Sequence, residues 1–219
     1  MVWILKFLTE NPEVQVQLRA ELQKTFHAAI EENNRFPTCT ELLSAKLPYL
    51  DAVIEETLRL RSAFLIARDA MRDSELLGYR IPKGTQCLLV CQGIEPFLNT
   101  SFPGTKPARK YPGNGNPDLS IFDPERWLVR NGDEVRFDST SNSQMAFGLG
   151  IRACWGRRLA ELEMKMAVAL IVWNFDILEV PRALMSHDAL YDFSYRAKLG
   201  FLSLRKREAN NDSYREVDS

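Results

Sequence analysis

The chain has 219 residues, 45% of them hydrophobic and 26% charged, a balance that supports a buried core and excludes wholesale disorder. Its 28 basic and 29 acidic residues leave a net charge of −1, so no global basic field marks nucleic acid as a partner. Four cysteines (Cys39, Cys87, Cys91, Cys154) form no CxxC pair and have no histidine at metal spacing, which argues against a zinc site or a disulfide framework and fits a reducing compartment.

Taken in chain order, Met1 to Leu8 is an apolar stretch without a helix cap, too short for the ~18 residues of a membrane-spanning helix and without the basic start of a signal peptide. Asn11-Pro12-Glu13 reads as a helix start, with Asn11 as N-cap and Pro12 at the first helical position. Val14, Leu18, Leu22, Phe26, Ala29 and Ile30 then recur at helical spacing, predicting one amphipathic helix of about 20 residues. A second helix follows Pro48, with Leu50, Val53, Ile54, Thr57 and Leu58 on its inner side. From Ala63 to Cys91 the period shortens, and Gly78 and Pro82-Lys83-Gly84 punctuate short strands. Residues 92–120, rich in Pro, Gly and Asn, read as a long loop or insertion. A third helix runs from near Cys154 to about Asn174, and its Met166–Trp173 stretch, apolar on every side, predicts burial between layers. Phe175 to Val180 and part of Phe193 to Leu204 alternate as strands, and residues 206–219 read as a flexible polar tail. The fold class is mainly α with small β-sheets (α+β), in a single partial domain over 1–219.

The densest chemistry lies in Phe147-Gly148-Leu149-Gly150-Ile151-Arg152-Ala153-Cys154-Trp155-Gly156. Two glycines let the backbone turn tightly toward the cysteine, and the helix that begins there favours a thiolate through its dipole and free N–H groups. Gly156 leaves room for something flat, and Arg152 offers a planar fork suited to a carboxylate. Together they describe a thiolate ligand to a flat, acid-bearing metal macrocycle, which is haem (heme, iron protoporphyrin IX). Cys39, Cys87 and Cys91 lack this context and read as small buried hydrophobes.

These residues are where the chain resembles a known family. Phe147, Gly148, Gly150, Arg152, Cys154 and Gly156 are similar at every position to the cysteine-loop signature of the cytochrome P-450 haem-thiolate monooxygenases, a match expected by chance at about one start in 10^7. Upstream, Glu56-Thr57-Leu58-Arg59 resembles the family's ExxR pair, and Phe122-Asp123-Pro124-Glu125-Arg126-Trp127 the segment whose arginine joins it. The resemblance implies a buried, structural Glu56–Arg59–Arg126 network. It also implies that Phe147, Gly148, Arg152 and Arg68 contact the cofactor, with Arg68 as a second propionate partner, and that Cys154 is the metal ligand. Ser62 to Ala67 and a hairpin near Tyr191 to Lys198 would line the substrate side.

The resemblance covers the C-terminal, proximal-side part of the family fold. No Ala/Gly-Gly-x-Asp/Glu-Thr-Thr run of the distal, oxygen-activating helix occurs, so no catalytic residue is assigned. What the family implies is insertion of one oxygen atom from O2 into a small apolar substrate, with NADPH-derived electrons delivered by a flavoprotein reductase. The basic cluster Arg152, Arg157, Arg158 and Lys165 would face that reductase, or would be only an exposed helix face. A full-length relative would sit at the endoplasmic reticulum membrane surface; this chain as it stands reads as cytoplasmic. A truncated, non-catalytic fragment and a haem-thiolate isomerase or dehydratase remain alternatives. The turn-rich, loop-rich chain resembles fungal enzymes of secondary metabolite biosynthesis. His27 and His187 read as ordinary solvated or satisfied histidines.

Overall fold

The computed structural model describes residues 1–32, 34–62, 65–76, 78–90, 118–132, 134–141, 145–148, 150–191 and 195–207. Most of the predicted loop 92–120 and most of the tail therefore lie outside the described residues.

The opening apolar stretch forms α1 (Val2–Glu10), which buries Trp3, Ile4, Phe7 and Leu8. Asn11 is the N-cap of the next helix, as the sequence places it, but its side-chain amide turns back to α1 and donates to the Phe7 carbonyl at 2.7 Å, occupying one of the orphan acceptors there. The predicted amphipathic helix is two helices, α2 (Pro12–Thr25) and α3 (His27–Glu31), broken at Phe26. Phe26 leaves helical geometry (φ −113°, ψ 39°) and is buried with its ring edge-on to Trp173 at 6.5 Å. Tertiary packing of one aromatic thus overrides an otherwise continuous helical period.

A short helix, α4 (Cys39–Ser44), follows and was not expected from the pattern of apolar residues. Its signal is a capping box: the Thr38 hydroxyl accepts from the Glu41 N–H at 3.2 Å, while the Glu41 carboxylate accepts from the Thr38 N–H at 2.7 Å. Cys39, at the first position of α4, is exposed, and Cys87 is half-buried, so neither is the buried hydrophobe the sequence suggested. Cys91 lies outside the described residues.

Helix α5 (Pro48–Leu60) is the centre of the fold and packs against α1, α2 and α6 (Arg157–Asn174). The predicted inner residues Leu50, Val53, Ile54 and Thr57 are buried, but so are Glu55, Glu56 and Arg59, so α5 is enclosed on nearly every side. Leu47 at its N-cap offers no side-chain oxygen. Glu21 of α2 takes that role from 28 residues away, accepting from the N–H groups of Tyr49 (2.7 Å) and Leu50 (2.9 Å). Burial pushes the Glu21 carboxyl up to about 7, against the two N–H donors that favour its ionised form.

Helix α6 ends at Asn174, where the sequence places it, but begins at Arg157, with Gly156 as N-cap. Val168, Ala169, Val172 and Trp173 are buried, whereas Leu170 is exposed, so the apolar stretch is buried on one face only.

The strands pair as separate antiparallel ribbons, which confirms the α+β class. β1 (Leu65–Asp69) pairs with β4 (Gln86–Val90) around the small hairpin of β2 (Ser74–Leu76) and β3 (Tyr79–Ile81). β5 (Leu128–Asn131) pairs with β6 (Glu134–Phe137), β7 (Phe175–Leu178) with β10 (Ser203–Lys206), and β8 (Ala189–Tyr191) with β9 (Tyr195–Ala197). Lys206, assigned from sequence to the tail, belongs to β10 opposite Phe175, and the Arg207 N–H donates to the Asn174 carbonyl at 2.9 Å. What holds this end is Asp176 of β7, ion-paired with Arg19 (3.1 Å), Arg205 (3.0 Å) and Arg207 (3.5 Å). Among the described residues, no helix is long and apolar enough to cross a membrane.

Candidate haem-thiolate site

The two upstream motifs are organised around one buried carboxylate. Glu56, completely buried on α5, receives both prongs of Arg59 one turn later at 2.8 Å each, a bidentate pair fixed by i,i+3 spacing. A 3-10 turn over Pro124–Trp127 brings in three more donors: Arg126 Nε at 3.2 Å, the Asp123 N–H at 3.1 Å and Trp127 Nε1 at 2.8 Å. The turn is set by Asp123, whose carboxylate accepts from the Glu125 N–H, with Pro124 at the first position. The predicted Glu56–Arg59–Arg126 network is therefore formed, buried and hydrogen-bonded on both carboxylate oxygens. Trp127 and the Asp123 backbone are members that the sequence reading missed; their signal was the aromatic directly after Arg126, whose ring N–H needs a partner once buried.

The loop from Phe147 to Gly156 lies on the surface. Gly148 (φ +69°) and Gly150 (φ +70°) both occupy the left-handed region that side-chain-bearing residues disfavour, so the glycines are required by the turn itself. The loop closes on the cysteine's own backbone: the Cys154 N–H donates to the Phe147 carbonyl at 2.7 Å, and the Ala153 N–H to the Gly150 carbonyl at 3.0 Å. The Cys154 carbonyl then accepts from the Arg157 N–H at 3.3 Å, tying the loop to the first turn of α6. Cys154 thus stands two residues before the N-cap, exposed, at the end of α6 where the helix dipole is positive.

Gly156 has an ordinary backbone (φ −79°, ψ 1°), so conformation does not demand glycine there. A Cβ at that position would sit 3.8 Å from the Cys154 sulfur, in contact with it. Space beside the sulfur is what glycine preserves. Ile151 and Trp155, on either side of the thiol, are fully exposed, and Leu159 is more than half exposed. A lone accessible thiol, an open glycine beside it and flanking apolar side chains fit a flat, mostly apolar macrocycle whose iron takes one thiolate. Among the described residues, no three His, Cys, Asp or Glu side chains converge as they would around a bare metal ion.

Phe147, Gly148, Arg152 and Cys154 are brought together in this one loop, with the Arg157 guanidinium 5.8 Å from the centre of the Phe147 ring. Arg152 is exposed and available to an acid group. Arg68 is placed differently, on β1, exposed, with its guanidinium donating to the Ala67 carbonyl at 2.8 Å; no hydrogen bond or ion pair among the described residues links it to the loop. The basic cluster is partly neutralised, because Arg157 pairs with Glu161 (2.6 Å) and Glu55 (3.8 Å), and Lys165 with Asp51 (2.5 Å). Arg152 and Arg158 are its exposed members.

An exposed thiol on a glycine-turned loop and a buried Glu–Arg–Arg cluster, carried on an α+β frame, are the two features that resemble the cytochrome P-450 class. Residues 1–95 and 117–195 match the family model for cytochrome P450, and the chain belongs to that family. It is 58% identical over 214 residues to cytochrome P450 monooxygenase xilC of Penicillium rubens, covering 94% of this chain and 37% of that protein. It is 36% identical to cytochrome P450 monooxygenase TRI13 of Fusarium sporotrichioides, over 94% of this chain and 38% of the relative. A shorter relative, the Hps1-dma1 cluster cytochrome P450 monooxygenase cyp3.1 of Dothistroma septosporum, is 33% identical over 92% of this chain and 71% of its own length. Among solved structures, the haem domain of cytochrome P450DA has the same fold, with a TM-score of 0.69 at 23% identity over 95% of this chain and 40% of that one. The chain thus spans less than two fifths of the length of the first two relatives.

Proposed function

We propose that this chain provides the haem-holding part of a cytochrome P450 monooxygenase, with Cys154 as the axial ligand to iron. The observation that carries this reading is the Cys154 loop: a surface thiol whose backbone is clamped to Phe147, with Gly156 leaving the sulfur open on one side. When bound, haem supplies the oxygen-activating chemistry, one atom of O2 going into a small apolar substrate at the expense of two electrons from a flavoprotein reductase. The residues of this chain hold and tune it. Cys154, exposed two residues before the N-cap of α6, would supply the thiolate sulfur to the iron. Arg152, exposed on the same loop, would hold a propionate through its planar fork, and Arg68 would be the second propionate partner. Gly148 and Gly150 fix the loop path, and the Glu56 cluster keeps α5 rigid behind it.

The test is a reduced, carbon-monoxide difference spectrum of the 219-residue chain reconstituted with haem. The expected result is a thiolate-shifted Soret band in the parent chain and its loss in Cys154→Ala. A thiolate-type band that survives in Cys154→Ala overturns the ligand assignment. No thiolate band in the folded parent chain would assign the function to a longer protein, of which this chain is a fragment that does not form the site.

A further inference from the structure

Away from the cysteine loop, a second cluster joins three elements. His187 precedes β8, Arg61 ends α5, and Glu10 ends α1. Arg61 Nη2 lies 2.9 Å from His187 Nδ1, and His187 Nε2 lies 2.6 Å from Glu10 Oε1. Arginine has no lone pair to accept with and keeps its proton in proteins, so Arg61 is the donor and Nδ1 must be bare. The ring proton then sits on Nε2 and is donated to Glu10. The two neighbours therefore fix both the tautomer and the charge: this arrangement holds neutral histidine only.

Arg61 is invested in the contact. Its guanidinium lies 4.9 Å from the centre of the Trp3 ring and 5.6 Å from that of Phe7, its Nη1 donates to the Leu60 carbonyl at 3.2 Å, and its Nε is buried with no partner among the described residues. Trp3 is in turn stacked on Tyr195 of β9, with ring centres 5.6 Å apart. His187 itself is about one-third exposed, beside a cleft of about 350 Å³ lined also by Asn11, Leu60, Ser120 and Phe122, so solvent protons reach it.

We propose that His187 is a proton-operated latch between the end of α5 and the β8–β9 hairpin. A proton added at Nδ1 places two N–H cations against each other; His187 keeps Glu10 and releases Arg61, which turns from the Trp3 face toward the cleft. The charged and titratable groups around His187 are Arg61 of α5, Glu10 and buried Lys6 of α1, Asp188 next in sequence, and Tyr195 of β9. Lys6 donates to the Ser186 carbonyl at 3.0 Å, so it stays with the loop as Arg61 leaves. The latch rests on these contacts alone.

The chain has two histidines, which makes nitrogen-15 spectroscopy of the imidazoles decisive. His187→Gln can disturb the fold, so the signals are assigned with His27→Gln, a change at an exposed position of α3. At pH 8 the His187 ring should be the Nε2–H tautomer alone. On acidification toward pH 5, the Trp3 indole N–H, identified by its proximity to Tyr195, should move together with His187; the two rings are themselves 5.9 Å apart, so the deciding comparison is with Arg61→Gln. In Arg61→Gln, which has no cation to release, the Trp3 change should shrink, whereas in Glu10→Gln it should persist. An Nδ1–H tautomer at pH 8, a Trp3 signal that ignores the His187 titration, or a Trp3 change of undiminished size in Arg61→Gln overturns the latch.

Discussion

The Glu56 cluster and the Cys154 loop are the two regions where the chain shows its family most plainly, and physically they are opposites. Around Glu56, every charge is buried and the carboxylate is saturated by Arg59, Arg126, Trp127 and the Asp123 backbone. Around Cys154, the backbone is just as tightly specified, by two left-handed glycines and a 2.7 Å closing bond, yet the side chains point into solvent. The first region spends its polar groups almost wholly on one another, with Arg59 Nη1 buried and without a partner among the described residues. The second leaves a thiol, a guanidinium and two large apolar side chains without work inside the chain. Charge buried in mutual contact holds the frame; reactive groups left outward on a rigid loop await a partner.

The comparison is broken most severely at Glu56. Glu56→Ala leaves the Arg59 and Arg126 guanidinia buried without their anion and should cost about 3–5 kcal/mol, read as a large fall in the urea midpoint or as failure to fold. The next largest effect tests whether Trp127 is a true member of the cluster. Trp127→Phe keeps an aromatic ring but removes the 2.8 Å donor to Glu56 Oε2, and should cost about 1.5–3 kcal/mol. A loss below ~0.5 kcal/mol, the range of ordinary surface changes, would make the indole N–H incidental.

Legibility in the sequence follows the same division. Glu56, Arg59, Arg126 and the cysteine loop were readable because their chemistry needs particular residue types at fixed spacing. The helix starts at Pro12 and Pro48 and the end at Asn174 followed from local rules. What escaped was decided at long range. Phe26 breaks a helix to pack on Trp173, and Glu21 caps α5 across 28 residues. His187 looked ordinary because its partners, Glu10 and Arg61, are 177 and 126 residues distant. Only α4 was a local miss, since Thr38-Cys39-Thr40-Glu41 carries its capping box in plain view.

Glu21 sharpens the comparison from a third position, a buried carboxylate with no full counter-charge. Its pKa rises from 4.5 to about 7 on folding because burial penalises the anion. Between those values the folded chain holds a proton that the unfolded chain has lost. Stability contributed by this group is therefore full below about pH 4.5, falls as pH rises toward 7, and is flat above. Glu21→Gln should remove that slope, so the stability difference between variant and parent should change by about 3 kcal/mol from pH 4.5 to 8 in paired urea titrations. Comparing the two chains cancels groups with the opposite slope, such as Glu41, held down to about 2 by Arg35 and Thr38. Parallel pH profiles would show that the Tyr49 and Leu50 N–H groups outweigh burial.

The smallest stability effect is expected where the functional effect is largest. Cys154 contributes its backbone to the loop, through the bonds to Phe147 and Arg157, but its sulfur is exposed. Cys154→Ala retains both backbone bonds and should leave stability within about 0.5 kcal/mol of the parent in the absence of haem. In its presence the parent should gain stability by mass action and the variant should not, because a ligand that binds only the native state adds RT ln(1 + [L]/Kd). A loop whose thiol were structural would behave the other way: the variant would be weaker without haem, and added haem would affect both chains alike. The sign of that difference separates a residue kept for the frame from one kept for its ligand, and it needs neither turnover nor a known substrate.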